Sequence, residues 1–301
     1  MTSIALFADR NVIAPTHVAL ASTLANWPGP QVLEVNVFHS GWTAADIDRL
    51  HATASMNPAP ARLHVQELPL QRFADWTSLY GTLMPYGRLL LPRLLPEQDS
   101  VLYLDVDVIV EMDIRELIQA CAPGIPVSAL PGWDFGHSHD AGLASRLAIA
   151  HDEPYFHSGL LLMDLAWCRG EAITDKFLAF GDQHRGELNS HDQTVINFVL
   201  RGQIAPMPKD LTTHLYPTTT ATNRRSGVVH SFCGSPKPFD PAGNLLNNNH
   251  AYFNQWLGRT ALADWSPNSL RELVRAKNLR LLRPVVGTVL KRIAAIGRRA
   301  A

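Results

Sequence analysis

The 301-residue chain is 46% hydrophobic and carries 26 Lys and Arg against 27 Asp and Glu, for a formal net charge of -1. That composition argues against disorder for most of the chain and leaves enough apolar side chains for a substantial core; no run of 18 apolar residues marks a membrane span. Cys121, Cys168 and Cys233 are odd in number, far apart and without a C-x-x-C pairing, which argues against a disulfide framework and, with no secretory segment around residues 4–8, makes the cytosol the expected compartment.

In chain order, residues 3–8 predict a short apolar strand, 9–11 a polar turn and 16–26 a helix. Residues 32–38 predict a second strand, Thr43 N-caps a second helix, and 62–68 alternates as a third strand. Strand and helix in alternation predict an α/β fold whose mostly parallel sheet is covered on both faces, with ligands gathered beyond the carboxyl ends of the strands. Residues 85–96 predict a leucine-rich helix in which Arg88 is the odd charge, with a surface salt bridge as the structural alternative. Residues 101–110 read as one strand holding Asp105 and Asp107. Period-two alternation then puts both carboxylates on one face with Cα atoms about 6.5–7 Å apart. Like charges among apolar residues repel and lose hydration, and a hard divalent cation offsets both costs. Aspartates that merely cap a turn are the alternative. Asp113 with Glu116 reads as a capping box that opens a short helix ending at Ala120, so Asp113 is structural.

Residues 127–130 predict a strand, 132–141 a loop rich in Gly, His and Asp near the active face, 160–165 a strand, 167–180 a helix and 194–200 the apolar face of another. Gly159 offers a point where backbone can approach a ligand. Ser190 with Gln193 satisfies a capping box, which leaves Asp192 and Gln193 open to a structural as well as a chemical role. A strand ends on His230, and residues 231–249 are mostly loop holding Gly234 and Lys237. The absence of G-x-G-x-x-G, G-x-x-x-x-G-K-[ST] and H-E-x-x-H removes the usual support for a dinucleotide oxidoreductase, a P-loop phosphotransferase or a zinc protease.

From residue 267 to 301 nine basic residues face Glu272 alone, so this stretch carries +8 and the rest of the chain -9. Leucines, valines and isoleucines interleave with the cations in the manner of a membrane-surface helix, which Pro284 divides in two. The expected location is therefore cytoplasmic and peripheral at the inner face of the cytoplasmic membrane. A solvated tail packed on the domain, or a nucleic-acid-binding arm, are the alternatives; few aromatics and no recognised motif disfavour nucleic acid as a partner.

Taken in order and spacing, these segments resemble glycosyltransferase family 8, retaining transferases of GT-A fold that include bacterial lipopolysaccharide galactosyl- and glucosyltransferases. The resemblance covers about residues 3–240 and rests on Ala8-Asp9-Arg10-Asn11, the Arg-Leu-Leu-Leu-Pro stretch from Arg88, Leu104-Asp105-Val106-Asp107, Ser158-Gly159, Asp192-Gln193 and His230-x-x-x-Gly234-x-x-Lys237. It implies a GT-A catalytic domain over residues 1–264, followed by the basic tail at 265–301. It also implies metal-dependent transfer of a hexose from a nucleotide sugar, UDP being the expected nucleotide, to a glycan or glycolipid acceptor such as lipopolysaccharide core. Residue by residue, Asp105, Asp107 and His230 would bind Mn²⁺ (or Mg²⁺), and Asp9 and Asn11 would face the nucleoside. Arg88 and Asp192 would hold the donor sugar, Gly234 and Lys237 the diphosphate, and Gln193 would lie beneath the anomeric carbon; Ala8, Val106, His157 and Ser158 complete the implied donor set. Two positions depart from the pattern: Val12 stands where the family has an aromatic that stacks on uracil, and His157 where it has Asn before Ser-Gly. A sugar-nucleotide hydrolase or nucleotidyltransferase using the same carboxylates, and a non-catalytic adaptor presenting the tail, are the competing readings.

Overall fold

The computed structural model describes residues 2–79, 81–266, 286, 287, 289 and 290. Its strands are β1 (Ser3–Asp9), β2 (Leu33–Ser40), β3 (Ala61–Glu67), β4 (Ser100–Leu104), β5 (Val108–Val110), β6 (Val127–Asp134), β7 (Pro154–Asp164), β8 (Ile204–Pro206), β9 (Thr212–Leu215) and β10 (Val229–Phe232). Seven form one sheet in the order β3-β2-β1-β4-β7-β6-β8, and three form a second, β5-β10-β9. In the large sheet β7 alone runs against its neighbours β4 and β6, so the expected mostly parallel α/β sheet flanked by helices is present.

Its central strand explains the layering. Ile4, Leu6 and Ala8 of β1 enter one apolar cluster with Val35, Leu102 and Leu104, while Ala5 and Phe7 enter another with Tyr103, Trp76 and Leu161. A strand buried on both faces reads as a continuous apolar run. At the edge, Arg62 and His64 on β3 pair with buried Glu34 of β2 at 2.6 and 2.8 Å, and this charged rim discourages further strand pairing. A third cluster, with Ala14 and Val18 of helix Ile13–Ala25 against Ile109, Leu215, Phe232 and Phe253, covers the small sheet.

Several elements differ from the sequence expectation. The leucine-rich stretch is a 3₁₀ segment, Met84–Leu90, followed by a short helix, Leu91–Leu94, because Pro92 fits only a first helical turn. Gly87 lets this segment lie directly on β1, since a Cβ there would stand 2.5 Å from the Phe7 ring. Residues 101–110 are not one strand but β4 and β5, in different sheets. Asp113 does cap its helix, accepting from the Arg115 N–H, yet the Arg115 guanidinium rather than Glu116 closes on it. The 132–141 stretch is less irregular than expected: β6 runs to Asp134 and helix Ala141–Arg146 follows. The helix expected at 167–180 is two, Leu165–Gly170 and Ile173–His184, parted at Ala172 with φ 51°. The basic tail and its break at Pro284 lie almost wholly outside the described residues; among those described, no helix is long and apolar enough to cross a membrane.

Candidate active site

The two aspartates of residues 105–107 sit on the seam between the sheets. Asp105 donates its amide N–H to the Gly159 carbonyl of β7 at 2.8 Å, while the Asp107 carbonyl accepts from Phe232 of β10 at 2.9 Å. The chain leaves the large sheet at one aspartate and enters the small sheet at the other, so the carboxylates flank an opening instead of lying within a packed strand. Gly159 is required beside them, because a Cβ at that position would stand 2.9 Å from Asp105 Oδ2.

Arg88, 5% exposed, organises one side of the opening. Its guanidinium donates to Asp105 Oδ1 at 2.9 Å, to the Ser158 carbonyl at 2.5 Å and hydroxyl at 3.1 Å, and to the Pro85 carbonyl at 3.1 Å. It also forms an ion pair with buried Asp192 at 3.2 Å and lies 4.2 Å above the Tyr103 ring. Five donors in a planar fork suit such multiple engagement, which a lysine cannot reproduce. The Tyr103 hydroxyl donates to the same Asp105 oxygen. On the other side Lys237 pairs with Asp107 and donates to the Phe232 carbonyl at 2.8 Å. Burial works to lower the Lys237 pKa, but the Asp107 carboxylate outweighs it and holds the ammonium above its ordinary value.

Behind Ser158, the Ser158 N–H donates to Gln193 Oε1 at 3.2 Å. Gln193 stands in the first turn of helix Asp192–Val199, which follows His191 with φ 58°, and no side chain caps that helix. The expected Ser190–Gln193 capping box is therefore absent: the turn at His191 directs the Gln193 amide to Ser158. Asn197, one turn later, donates to the carbonyls of Phe156 and Gln193 and accepts from the Phe156 N–H, locking this helix to β7.

A cleft of about 380 Å³ gathers Asp9, Asn11, Val12, Arg88, Tyr103, Asp105, Val106, Asp107, Lys237, Phe239 and Trp265. Asp9 Oδ1 accepts from the Asn11 N–H at 2.8 Å, which sets the turn at the carboxyl end of β1. Of the other positions implied for the donor, Ala8 is fully buried in the core, and Gly234 adopts φ 74° in the loop leading to Lys237. Ser158, Asp192 and Gln193 line up behind Arg88, and His157 contacts Trp133 and His214 with ring centroids 4.9 and 5.5 Å away.

His230 does not join the aspartates. It pairs in register with Ile109 and Thr213, whereas Ser231 pairs with Val108 and His214, so His230 and His214 project from opposite faces of the small sheet. His230 is fully buried against Tyr252, with Nε2 3.6 Å from Glu111, and neither ring nitrogen has a hydrogen-bond partner. Burial lowers its pKa, with Glu111 partly offsetting. His214 is the imidazole on the aspartates' side: its Nδ1 is 3.2 Å from Cys233 Sγ, and burial lowers its pKa while the Asp107 charge raises it. As placed, no three His, Cys, Asp or Glu side chains among the described residues are close enough together to hold a metal ion.

Burial pushes the Asp105 carboxyl up to about 6, with Arg88 opposing and Asp107 adding to the rise. A carboxyl raised above its unfolded value of 3.8 destabilises the fold when ionised, fully above pH 6 and not at all below about pH 4. A third of the side chain faces the cleft, so water screens this cost to the order of 1–2 kcal/mol. Asp105→Asn is therefore expected to raise the metal-free melting temperature at pH 7.5, with the gain vanishing towards pH 4. Calorimetry that finds the variant less stable at pH 7.5 than at pH 4, relative to wild type, contradicts this cause.

Comparison with known proteins agrees with this architecture. The family model described as "Glycosyl transferase family 8" matches residues 3–241. General stress protein A of Bacillus subtilis is 24% identical over 280 residues, covering 86% of this chain and 93% of that protein. The crystal structure of galactosyltransferase LgtC in complex with donor and acceptor sugar analogs superposes with a TM-score of 0.70 at 22% identity, covering 86% of this chain and 96% of that one. The glycosyltransferase GlyE of Streptococcus pneumoniae gives 0.61 at 15% identity, covering 85% of this chain and 61% of that one. At these identities the structures establish the GT-A fold.

Proposed function

The chain belongs to glycosyltransferase family 8, and on that footing we propose that it moves a hexose from a nucleotide sugar, with UDP as the nucleotide, to a glycan acceptor with retention at the anomeric carbon. The observation that carries the reading is the meeting of Arg88, Asp105, Asp107 and Lys237 in one cleft with Asp9, Asn11 and an apolar wall. Charged and apolar portions in that arrangement suit a diphosphate flanked by a sugar and a nucleoside. Enzymes of the family are generally dependent on a divalent metal, and the donor chemistry fits Mn²⁺ or Mg²⁺: Asp107 Oδ1 is buried and accepts no hydrogen bond, and its neighbour Asp105 supplies further hard oxygen. When bound, such an ion supplies electrostatic stabilisation of charge on the departing diphosphate. Asp105 and Asp107 would hold it, and His214, whose imidazole feels the Asp107 charge, would support them from outside the ligand set.

The remaining work falls to the chain's own side chains. Lys237, once freed from Asp107, is the cation for the phosphate oxygens, and Arg88 fixes Asp105 relative to Asp192 and Ser158. Gln193 is a neutral amide and a poor nucleophile; it orients the sugar or stabilises positive charge at the anomeric carbon. The acceptor oxygen therefore attacks from the side the diphosphate leaves, the old C–O bond breaks as the new one forms, and the acceptor proton passes to the departing diphosphate. The basic segment at 265–301 is the proposed means of holding the enzyme at an anionic membrane surface beside a glycolipid acceptor, lipopolysaccharide core among them.

Titration calorimetry of UDP-, GDP- and CMP-sugars with and without Mn²⁺ tests this reading. UDP-sugar binding that requires Mn²⁺ is expected, with Mn²⁺ affinity weakened roughly tenfold by His214→Ala and unchanged by His230→Ala. Tight binding of a GDP- or CMP-sugar alone would remove UDP from the proposal. Equal loss in both histidine variants would remove the assignment of His214.

A further inference from the structure

We infer that Trp265 is the aromatic face against which the nucleobase of the donor lies, an inference that rests on the donor reading above. The lining of the cleft is of two kinds. Arg88 pairs with Asp105 and Lys237 with Asp107, and these make its charged part. Val12 and Trp265 pack on the apolar cluster of Phe239 and Phe253 and line the same cleft, and these make its apolar part. A base is the apolar, planar part of a nucleotide, and this is where a planar partner is available.

Of the aromatics that line the cleft, Phe239 and Trp265 belong to this apolar cluster, and they differ in what they leave open. Phe239 is 9% exposed, with its ring centroid 5.5 Å from Phe253, so its surface is largely used inside the cluster. Trp265 is only half-buried. It meets Phe253 edge-on, with centroids 6.4 Å apart and planes at 70°, a contact that leaves an indole face for a ligand. The Trp265 backbone N–H donates to the Leu262 carbonyl at 2.8 Å, so a turn holds the residue in place beside the cluster. Val12, the N-cap of helix Ile13–Ala25, lines the same cleft and packs on the same cluster with a small aliphatic side chain that itself offers a base no ring to stack on.

The test uses the full chain with Mn²⁺ present, reading UDP and inorganic pyrophosphate by calorimetry. Pyrophosphate carries the phosphates without a base. Trp265→Ala is expected to bind UDP about tenfold more weakly, as loss of one base–aromatic stack implies, with pyrophosphate affinity unchanged and Trp265→Phe restoring most of the UDP affinity. Unchanged UDP affinity in Trp265→Ala overturns the inference. Equal loss for UDP and pyrophosphate also overturns it, because the residue then acts through the fold. If wild type binds pyrophosphate but gains nothing from UDP, GDP or CMP, the nucleotide-donor reading itself fails and the assignment of Trp265 falls with it.

Discussion

Asp107→Asn is expected to reduce kcat/KM for sugar transfer by about 10³-fold while the protein keeps its fold. The substitution preserves volume and removes one of two charges that would hold the divalent ion. Metal-type stabilisation of a leaving diphosphate is worth several kcal/mol, and about 4 kcal/mol corresponds to that factor. Folding tolerates the change because the partner left behind, Lys237, retains its bond to the Phe232 carbonyl at 2.8 Å and is itself partly open to the cleft. Steady-state transfer at saturating Mn²⁺, beside circular dichroism melting, separates the two effects. A variant that turns over within tenfold of wild type would show that the charge of Asp107 is not part of the chemistry.

Arg88→Ala is expected to do the opposite kind of damage, destabilising the protein by about 3–5 kcal/mol. The residue is 5% exposed and its fork serves Asp105, Asp192 and Ser158 together. Removing it leaves the Asp192 carboxylate, itself 3% exposed, without its cation, and an uncompensated buried charge costs far more than the original pair contributed. Arg88→Lys restores charge without the fork and should recover less than half of the loss. A second change, Asp192→Asn, should return at least about 1 kcal/mol to Arg88→Ala, since it removes the stranded charge. Urea unfolding is the measurement, and an Arg88→Ala loss below about 1 kcal/mol would mean that water reaches the site and solvates both acids.

Much of this arrangement can be read from residues alone, for reasons that also explain where such reading stops. Residues 3–8 are an apolar run of strand length and residues 32–38 hold apolar residues at alternate positions, and the strands they form are buried on both faces; the Thr43–Asp46 capping box has a local chemical signature and forms as expected. Arg88 stands out among leucines because a cation there needs a partner. The break at residues 105–107 leaves no such trace, since Val101 to Val110 is uniformly apolar around the acids and nothing local reveals that its two halves pair with different sheets. Nothing in the local sequence tells that the His230 ring packs against Tyr252 and Glu111, since both partners come from other segments of the chain. Tyr103 was within reach of inference, because it lies two positions before Asp105 and so shares its side of the strand. His214 and Trp265 were not. Neither belongs to a local pattern, and Trp265 falls just beyond the boundary at residue 264 even though its ring lines the cleft.

The seam between the sheets has a mechanical consequence. One acid is tied by its amide to the seven-stranded sheet and the other by its carbonyl to the three-stranded sheet, so the gap between them works as a calliper whose setting is the relative position of two slabs. Helix Ile13–Ala25 fixes that setting, giving Leu20 to the large slab's interior and Val18 to the small slab's. The grip on a ligand is thus tuned from within the hydrophobic filling, by side chains that never meet sugar or nucleotide.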